Sequence, residues 1–270
     1  MLNSLINHRQ VPLLAAMLAY AAAPCLGQTE VCGSITTDTT WDLAGSPYIL
    51  TCNVVIESGV TLTVQADVVV RSTSDWDLFA DGRIVADGSI FELLFHDPSG
   101  QGHYSDIYAY GGEVRLVDCT IKGPGRVRVN EGPSRADLIG LTLQYADGTL
   151  LGGTPRIEFR YEDSAGTFID GVSLDPNHMM IRGGAPVVVR GNDFSQTTVE
   201  AVGDPSETLD LTHNWWGTTS QSEIEQHIIH LVDDPSRPLV LYDCVGDLNG
   251  DGVADVLDLL VVLSWWGPCA

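Results

Sequence analysis

Five times between residues 114 and 216 the chain repeats one spacing of inward-type residues, at x, x+2, x+5 and x+7. The copies are Val114, Leu116, Cys119, Ile121; Ala136, Leu138, Leu141, Leu143; Thr167, Ile169, Val172, Leu174; Val187, Val189, Asn192, Phe194; and Leu209, Leu211, Asn214, Trp216. Successive starts lie 22, 31, 20 and 22 residues apart, and weaker copies begin at Leu62 and Ile84. The long step contains "LLGGTPRIEFRYED", read as an insertion. Residues two apart share one side of an extended strand, so each copy is two short strands joined by a two-residue bend. A unit this small cannot bury its own apolar face, and neighbouring copies must stack to make a core.

The period therefore predicts an all-β chain wound as a parallel β-helix. In it Leu116, Leu138, Ile169, Val189 and Leu211 form one buried column. Asn192 and Asn214 share a template position, where one amide can bond the other or the backbone of the bend. Cys119 falls on an inward position and reads as a buried free thiol. The competing reading is an antiparallel sandwich, which also shows strands at short spacing. Sandwich strands are joined by hairpins, yet the only Asn-Gly pair is Asn249-Gly250, near the C-terminus. No amphipathic helical run separates the strand-like segments from Tyr48 to Trp216, which argues against alternating βαβ units.

Two segments carry a family resemblance. "SPYILTCNVVIESGVTLTVQADVVV" (47–71) resembles the opening coil of secreted bacterial right-handed β-helix proteins with the pectin-lyase-like fold, and "HNWWGTTSQSEIEQHIIHLVDD" (213–234) resembles their closing coil. The resemblance spans roughly Cys32 to Tyr242 and speaks to architecture, because this fold hosts lyases, hydrolases, adhesins and spacers. In the closing segment Ser220-x-x-Glu223 has the spacing of a capping box, and Ile224, Ile228 and Leu231 make one helical stripe. Such a helix would cover the open end of the coil stack. His227 and His230 lie one turn apart; without a third ligand nearby they read as a solvated face rather than a metal site.

Residues 1–27 read as an export signal, with a polar start followed by the apolar run Val11 to Ala23, too short to span a bilayer. The expected layout is a signal over 1–27, a β-helix over 28–242 and a separate tail over 243–270. The mature chain is expected to be secreted or at the cell surface, with no transmembrane segment. Export favours disulfides, and chain proximity pairs Cys32 with Cys52 and Cys244 with Cys269. Net charge is -23, from 36 acidic and 13 basic residues. That field repels nucleic acid and anionic lipid.

The tail holds "DLNGDGVADVLD", 247–258. Asp247, Asn249, Asp251, Asp255 and Asp258 occupy positions 1, 3, 5, 9 and 12 of a calcium loop, Gly252 sits at the sharp turn, and Val253 offers its carbonyl at position 7. Alternating oxygen ligands let such a loop wrap a hard cation, so calcium is the expected cofactor. Asp rather than Glu at position 12 resembles a dockerin repeat. Dockerins usually pair two such units to bind a cohesin; this chain has one. The resemblance implies a cohesin-like or cell-surface protein as partner, through the apolar helix predicted from Asp255 to Trp266.

Catalysis has weaker support. The paired aspartates, Gly-His-Gly and Arg-x-Lys of hydrolases with this fold are missing. Gly191-Asn192-Asp193 and Asp233-Asp234 fit turns. Arg126, Arg128, Arg156 and Arg160 alternate along strands as solvent-facing residues should. Asp106, Glu158 and Asp193 are candidate carboxylates on different coils. The excursion 96–112 is a candidate groove wall, with Tyr104, Tyr108 and Tyr110 able to stack on sugar. The expected role is a carbohydrate-associated binding or surface-structural protein, with polysaccharide as ligand. The alternative is a polysaccharide lyase or glycoside hydrolase.

Overall fold

In the computed structural model, which describes residues 27–94, 104–130, 134–146, 155–159, 161, 165–174 and 176–243, short strands alternate buried and partly exposed residues with period two. Glu113–Val117 buries Val114 and Leu116, while Glu113, Arg115 and Val117 point outward. Every strand pairing among the described residues is parallel. Hairpins would make neighbouring strands antiparallel, so the sandwich is excluded.

Each turn of the chain lays down strands on three faces in sequence, an all-β arrangement consistent with a β-helix-like solenoid. The first face stacks Thr39–Trp41, Thr61–Val64, Arg83–Asp87, Glu113–Val117, Arg135–Ile139, Ala165–Ile169 and Val187–Arg190. The second runs from the start of Tyr48–Ile56 through Val69–Ser72, Ile90–Leu93, Thr120–Lys122 and Thr142–Gln144 to Val172–Ser173. The third begins at the other end of Tyr48–Ile56. It continues through Leu78–Ala80, Asp106–Ala109, Arg126–Val129, Arg156–Phe159, Asn177–Arg182 and Thr197–Val202 to Ile228–Ile229.

The third face corrects the two-strand template. Arg156–Phe159, placed by the sequence pattern in an insertion, is one of its strands, and so is Asp106–Ala109, placed in the excursion. Their inward residues Ile107, Ala109, Ile157 and Phe159 belong to the core.

The predicted column holds for four of its five members. Leu116 pairs with Leu138, and Val189 and Leu211 are buried two and three coils on. In the coil between, Phe168, not Ile169, pairs with Leu138 and Val189 and is buried. The true inward set there is Gly166, Phe168, Gly171 and Ser173, with Leu174 55% exposed. A one-residue slip in a strand exchanges the two faces, and two glycines and a serine hid the signal. The small residues are required: a Cβ on Gly166 would lie 1.8 Å from the Ala136 carbonyl oxygen, and one on Gly171 2.6 Å from the Phe168 ring. The Phe168 ring fills the space that Gly171 leaves, 6.3 Å from Phe194, which lies 5.0 Å from Trp216.

The bend between first and second faces uses a left-handed residue in seven coils: Asp67, Gly88, Asp118, Gly140, Asp170, Gly191 and His213. Glycine and aspartate tolerate that conformation where branched residues do not. Just beyond the bend the asparagines bond as expected. Asn192 Nδ2 donates to Asn214 Oδ1 at 2.9 Å, Asn214 Nδ2 to the Val189 and Leu211 carbonyls at 3.0 and 2.9 Å, and the Gly171 amide to Asn192 Oδ1 at 2.9 Å.

Cys32 and Cys52 are disulfide-bonded, tying the outermost strand Thr29–Ile35 to Tyr48–Ile56. Cys119 is a buried free thiol, and burial pushes it up to about 11. The closing helix is shorter than the stripe implies: Gln221–Ile224 is one turn, Glu225–His227 is a 3-10 turn, and Ile228 is buried as a strand residue. Ser220 is the N-cap but makes no capping bond: its hydroxyl lies 3.1 Å from that of Ser222, and Glu223 accepts from the Thr218 hydroxyl. The export segment, Cys244, Cys269 and the loop residues Asp247, Asn249, Asp251, Val253, Asp255 and Asp258 lie outside the described residues.

Candidate functional site

The outward side of the third face is built by three consecutive strands reading DIYA, RVRV and RIEF. Alternation turns the apolar residue of each pair inward and sends Asp106, Tyr108, Arg126, Arg128, Arg156 and Glu158 out. Register sets them in two rows, Asp106–Arg126–Arg156 and Tyr108–Arg128–Glu158. Opposite charges on adjacent and diagonal positions then meet.

Asp106 takes the Arg126 fork, Nη2 to Oδ2 at 2.6 Å and Nε to Oδ1 at 3.0 Å, and accepts the Arg126 amide at 3.0 Å. Arg128 Nε lies 2.9 Å from Glu158 Oε2, and its Nη1 donates to the Tyr108 hydroxyl at 2.8 Å. Diagonal approaches of 3.9 Å link Arg126 to Glu158 and Arg128 to Asp106. Asp106 and Glu158 are buried although they sit on the outward side. Two of the three candidate carboxylates are thus brought together around one pair of arginines. Asp193 is not: it bridges Val172 and Trp215 on the second face. The arginines of the cluster are not solvent-facing as expected, with side chains only 11% and 17% exposed for Arg126 and Arg128.

Aromatic rings flank these charges. Tyr104 lies under Arg126 at 4.2 Å and Arg156 at 5.5 Å, and Arg128 sits 5.2 Å from the Tyr108 ring. Phe79 stacks on Tyr108 at 4.9 Å, with the exposed Tyr110 edge-on to it at 6.2 Å. Beyond Glu158 the same face carries His178–Glu200 (3.1 Å) and Arg237–Glu200 (2.7 Å). From Phe79 to Glu200 the stripe crosses six strands, roughly 24 Å at the usual strand spacing.

Burial sets the electrostatics. Asp77, immediately before Leu78–Ala80, is pushed by burial from 3.8 up to about 7; its hydrogen bond from the Asp106 amide opposes this and the Asp106 charge adds to it. Burial and the Asp106 charge drive the Tyr108 phenol well above its ordinary range. Burial works to lower the Arg126 guanidinium, but the hydrogen bonds and charge of Asp106, helped by Glu158, hold it above its ordinary value. Asp77 was not singled out by sequence reasoning; its position one residue ahead of an inward Leu, matching Asp106 ahead of Ile107, is the signal that would have found it.

The other sequence candidates are structural. His227 and His230 are not a solvated face: His227 Nδ1 lies 3.1 Å from the Thr197 carbonyl, and His230 is buried between Glu225 (2.7 Å) and the Val240 amide (3.1 Å). Val240 donates to Nδ1, so Nε2 carries the hydrogen toward Glu225. Gly191 makes a left-handed bend, Asp233 accepts the His230 amide, and Asp234 accepts from Ser236. Arg160 and residues 95–103 of the excursion lie outside the described residues. Among the described residues no three His, Cys, Asp or Glu side chains are grouped to hold a metal, and no helix is long and apolar enough to cross a membrane. Comparison of the chain with protein-family models, curated proteins and solved structures gives no match.

Proposed function

We propose that this chain is an exported right-handed parallel β-helix that binds polysaccharide or forms part of a carbohydrate-associated surface. Right-handedness follows from the near-universal hand of parallel crossovers. The observation that carries the binding reading is the third-face stripe, where Phe79, Tyr108 and Tyr110 form an aromatic step beside Arg126, Arg128, Asp106 and Glu158. Aromatic faces pack on the C–H faces of sugar rings, and fixed charged groups hydrogen-bond hydroxyls and carboxylates. Asp106 and Glu158 each face an arginine at 2.6 and 2.9 Å, an arrangement of fixed, paired groups that suits recognition. In this reading the tail binds calcium through Asp247, Asn249, Asp251, Val253, Asp255 and Asp258, and the ordered loop presents the following helix to a cohesin-like or cell-surface partner.

One observation favours a second reading, a polysaccharide lyase or glycoside hydrolase. Asp77 titrates near neutrality beside Asp106 and within the field of Arg126, the kind of perturbed group that acid–base chemistry uses. Incubation of the purified protein with acidic and neutral polysaccharides, with assays for retention, reducing ends and unsaturated products, separates the two. Binding without products supports the first reading. Products formed by the wild type and abolished in Asp77→Asn replace it with the second.

A further inference from the structure

The first face is hydrogen-bonded without interruption from Thr39–Trp41 to Val187–Arg190, and there its ladder stops. Thr208–Asp210, the corresponding strand of the next coil, pairs with Leu239–Leu241 and not with Val187–Arg190. The two coils are tied at both ends of this seam. The Gly184 amide donates to the Thr208 carbonyl at 3.4 Å, and the Gly191 amide to the His213 carbonyl at 2.6 Å. Between the ties the strands part around a cavity of about 230 Å³, walled by Val187 to Arg190 on one side and by Asp210, Thr212 and His213 on the other.

The walls carry opposite charges that do not meet. Arg190 is exposed and has no ion-pair partner among the described residues, although the chain is strongly acidic. Asp210 is held in place by Thr212, whose hydroxyl and amide both donate to Oδ1, at 2.7 and 2.9 Å. Those bonds keep the carboxyl below its ordinary range, and they leave Oδ2 without a partner among the described residues. His213 is fastened by Asp243, which accepts its amide at 2.7 Å. Val188, 46% exposed, adds an apolar surface to the same wall as Arg190.

We propose that this seam binds a small zwitterion of the α-amino-acid class, with its carboxylate on Arg190, its ammonium on Asp210 Oδ2 and its aliphatic side chain against Val188. A simple anion would be repelled by a chain of net charge -23 and would leave Asp210 unpaired. A simple cation would leave Arg190 unpaired. A zwitterion answers both groups and carries no net charge into the field. The volume lies below the usual range of drug-sized pockets, which fits a ligand of this size. The site is on a different face from the aromatic stripe and does not rest on the carbohydrate reading.

The test is a titration of the isotope-labelled full chain with L-leucine, followed by amide shifts, with acetate and butylamine as half-ligands. Saturable shifts at Val188, Arg190, Asp210 and Thr212 are expected, with leucine binding at least about tenfold tighter than either half-ligand. Arg190→Gln and Asp210→Asn should each bring leucine down to the half-ligand level, with the unfolding curve unchanged for Arg190→Gln. Asp210→Asn alters the Thr212 turn, so if it fails to fold, Arg190→Gln alone decides. Absence of saturable shifts with leucine, equal binding of acetate or butylamine by the wild type, or undiminished leucine binding in Arg190→Gln would each overturn the proposal.

Discussion

Replacing Asn214 with leucine tests whether the bend asparagines hold the last coils together. Asn214 is fully buried, and its amide makes four bonds of 2.9–3.0 Å: Oδ1 accepts the Asn192 amide and Asn192 Nδ2, while Nδ2 donates to the Val189 and Leu211 carbonyls. Leucine branches where asparagine does, with the same number of heavy atoms, and Leu141 occupies the same template position three coils earlier. What changes is polar satisfaction. Asn192 Nδ2 keeps the Phe168 carbonyl at 2.8 Å, but the Asn192 amide and the two carbonyls lose the Asn214 side chain. Each buried backbone group left unsatisfied costs about 1–3 kcal/mol, and greater apolar burial of leucine returns about 1–2 kcal/mol. Over the three groups the net loss is about 1–8 kcal/mol. Urea unfolding followed by tryptophan fluorescence reads it directly, since Trp216 lies two residues away in the same coil. A variant within about 0.5 kcal/mol of wild type, the range of a neutral surface change, would refute the reasoning.

Three further outcomes follow from the same geometry. Arg126→Met strands the buried Asp106 and should destabilise the fold by about 3–5 kcal/mol, and Asp106→Asn in the same chain should recover much of that, both read by urea unfolding. Asp77 has a folded-state pKa near 7 against 3.8, so its protonated form stabilises the fold fully below about pH 4 and the contribution is lost as pH rises to 7. The stability difference between wild type and Asp77→Asn, measured from pH 4 to 8, should therefore shift against the wild type over that window and level off above it. Asp251→Ala should abolish calcium binding by calorimetry while leaving the unfolding of residues 28–242 unchanged; calcium bound equally by the variant would remove that loop as the site.

The coil period was legible because stacking makes inward positions recur, and Leu62, Ile84, Val114 and Ala136 do pair in register. The period misleads where small residues sit inside: Gly166, Gly171 and Ser173 carry no apolar signal, and the spacing points to Ile169 and Leu174 instead. The third face was missed because variable connections of up to a dozen residues precede it, as before Asp106 and Arg156, and break the fixed offset. Where the connection is short the offset is visible, Val127 and Val129 following Val114 and Leu116 as Met179 and Ile181 follow Gly166 and Phe168. The candidate site could not be assembled from sequence for the same reason. Asp106 and Glu158 meet only because one strand of the coil between them, Arg126–Val129, pairs with both of theirs and brings Arg126 and Arg128 into the gap. The disulfide, by contrast, needed only proximity: Cys32 and Cys52 are one coil apart.

The most direct test of the binding assignment is retention of the protein on immobilised polysaccharides, comparing the wild type with Phe79→Ala/Tyr110→Ala and with Val188→Ser on the first face. Phe79 is partly exposed and Tyr110 52% exposed, so the double variant should fold normally. It should lose retention on the polysaccharide the wild type binds, while Val188→Ser keeps it. Equal retention of all three proteins would contradict the assignment of the third face as the binding surface.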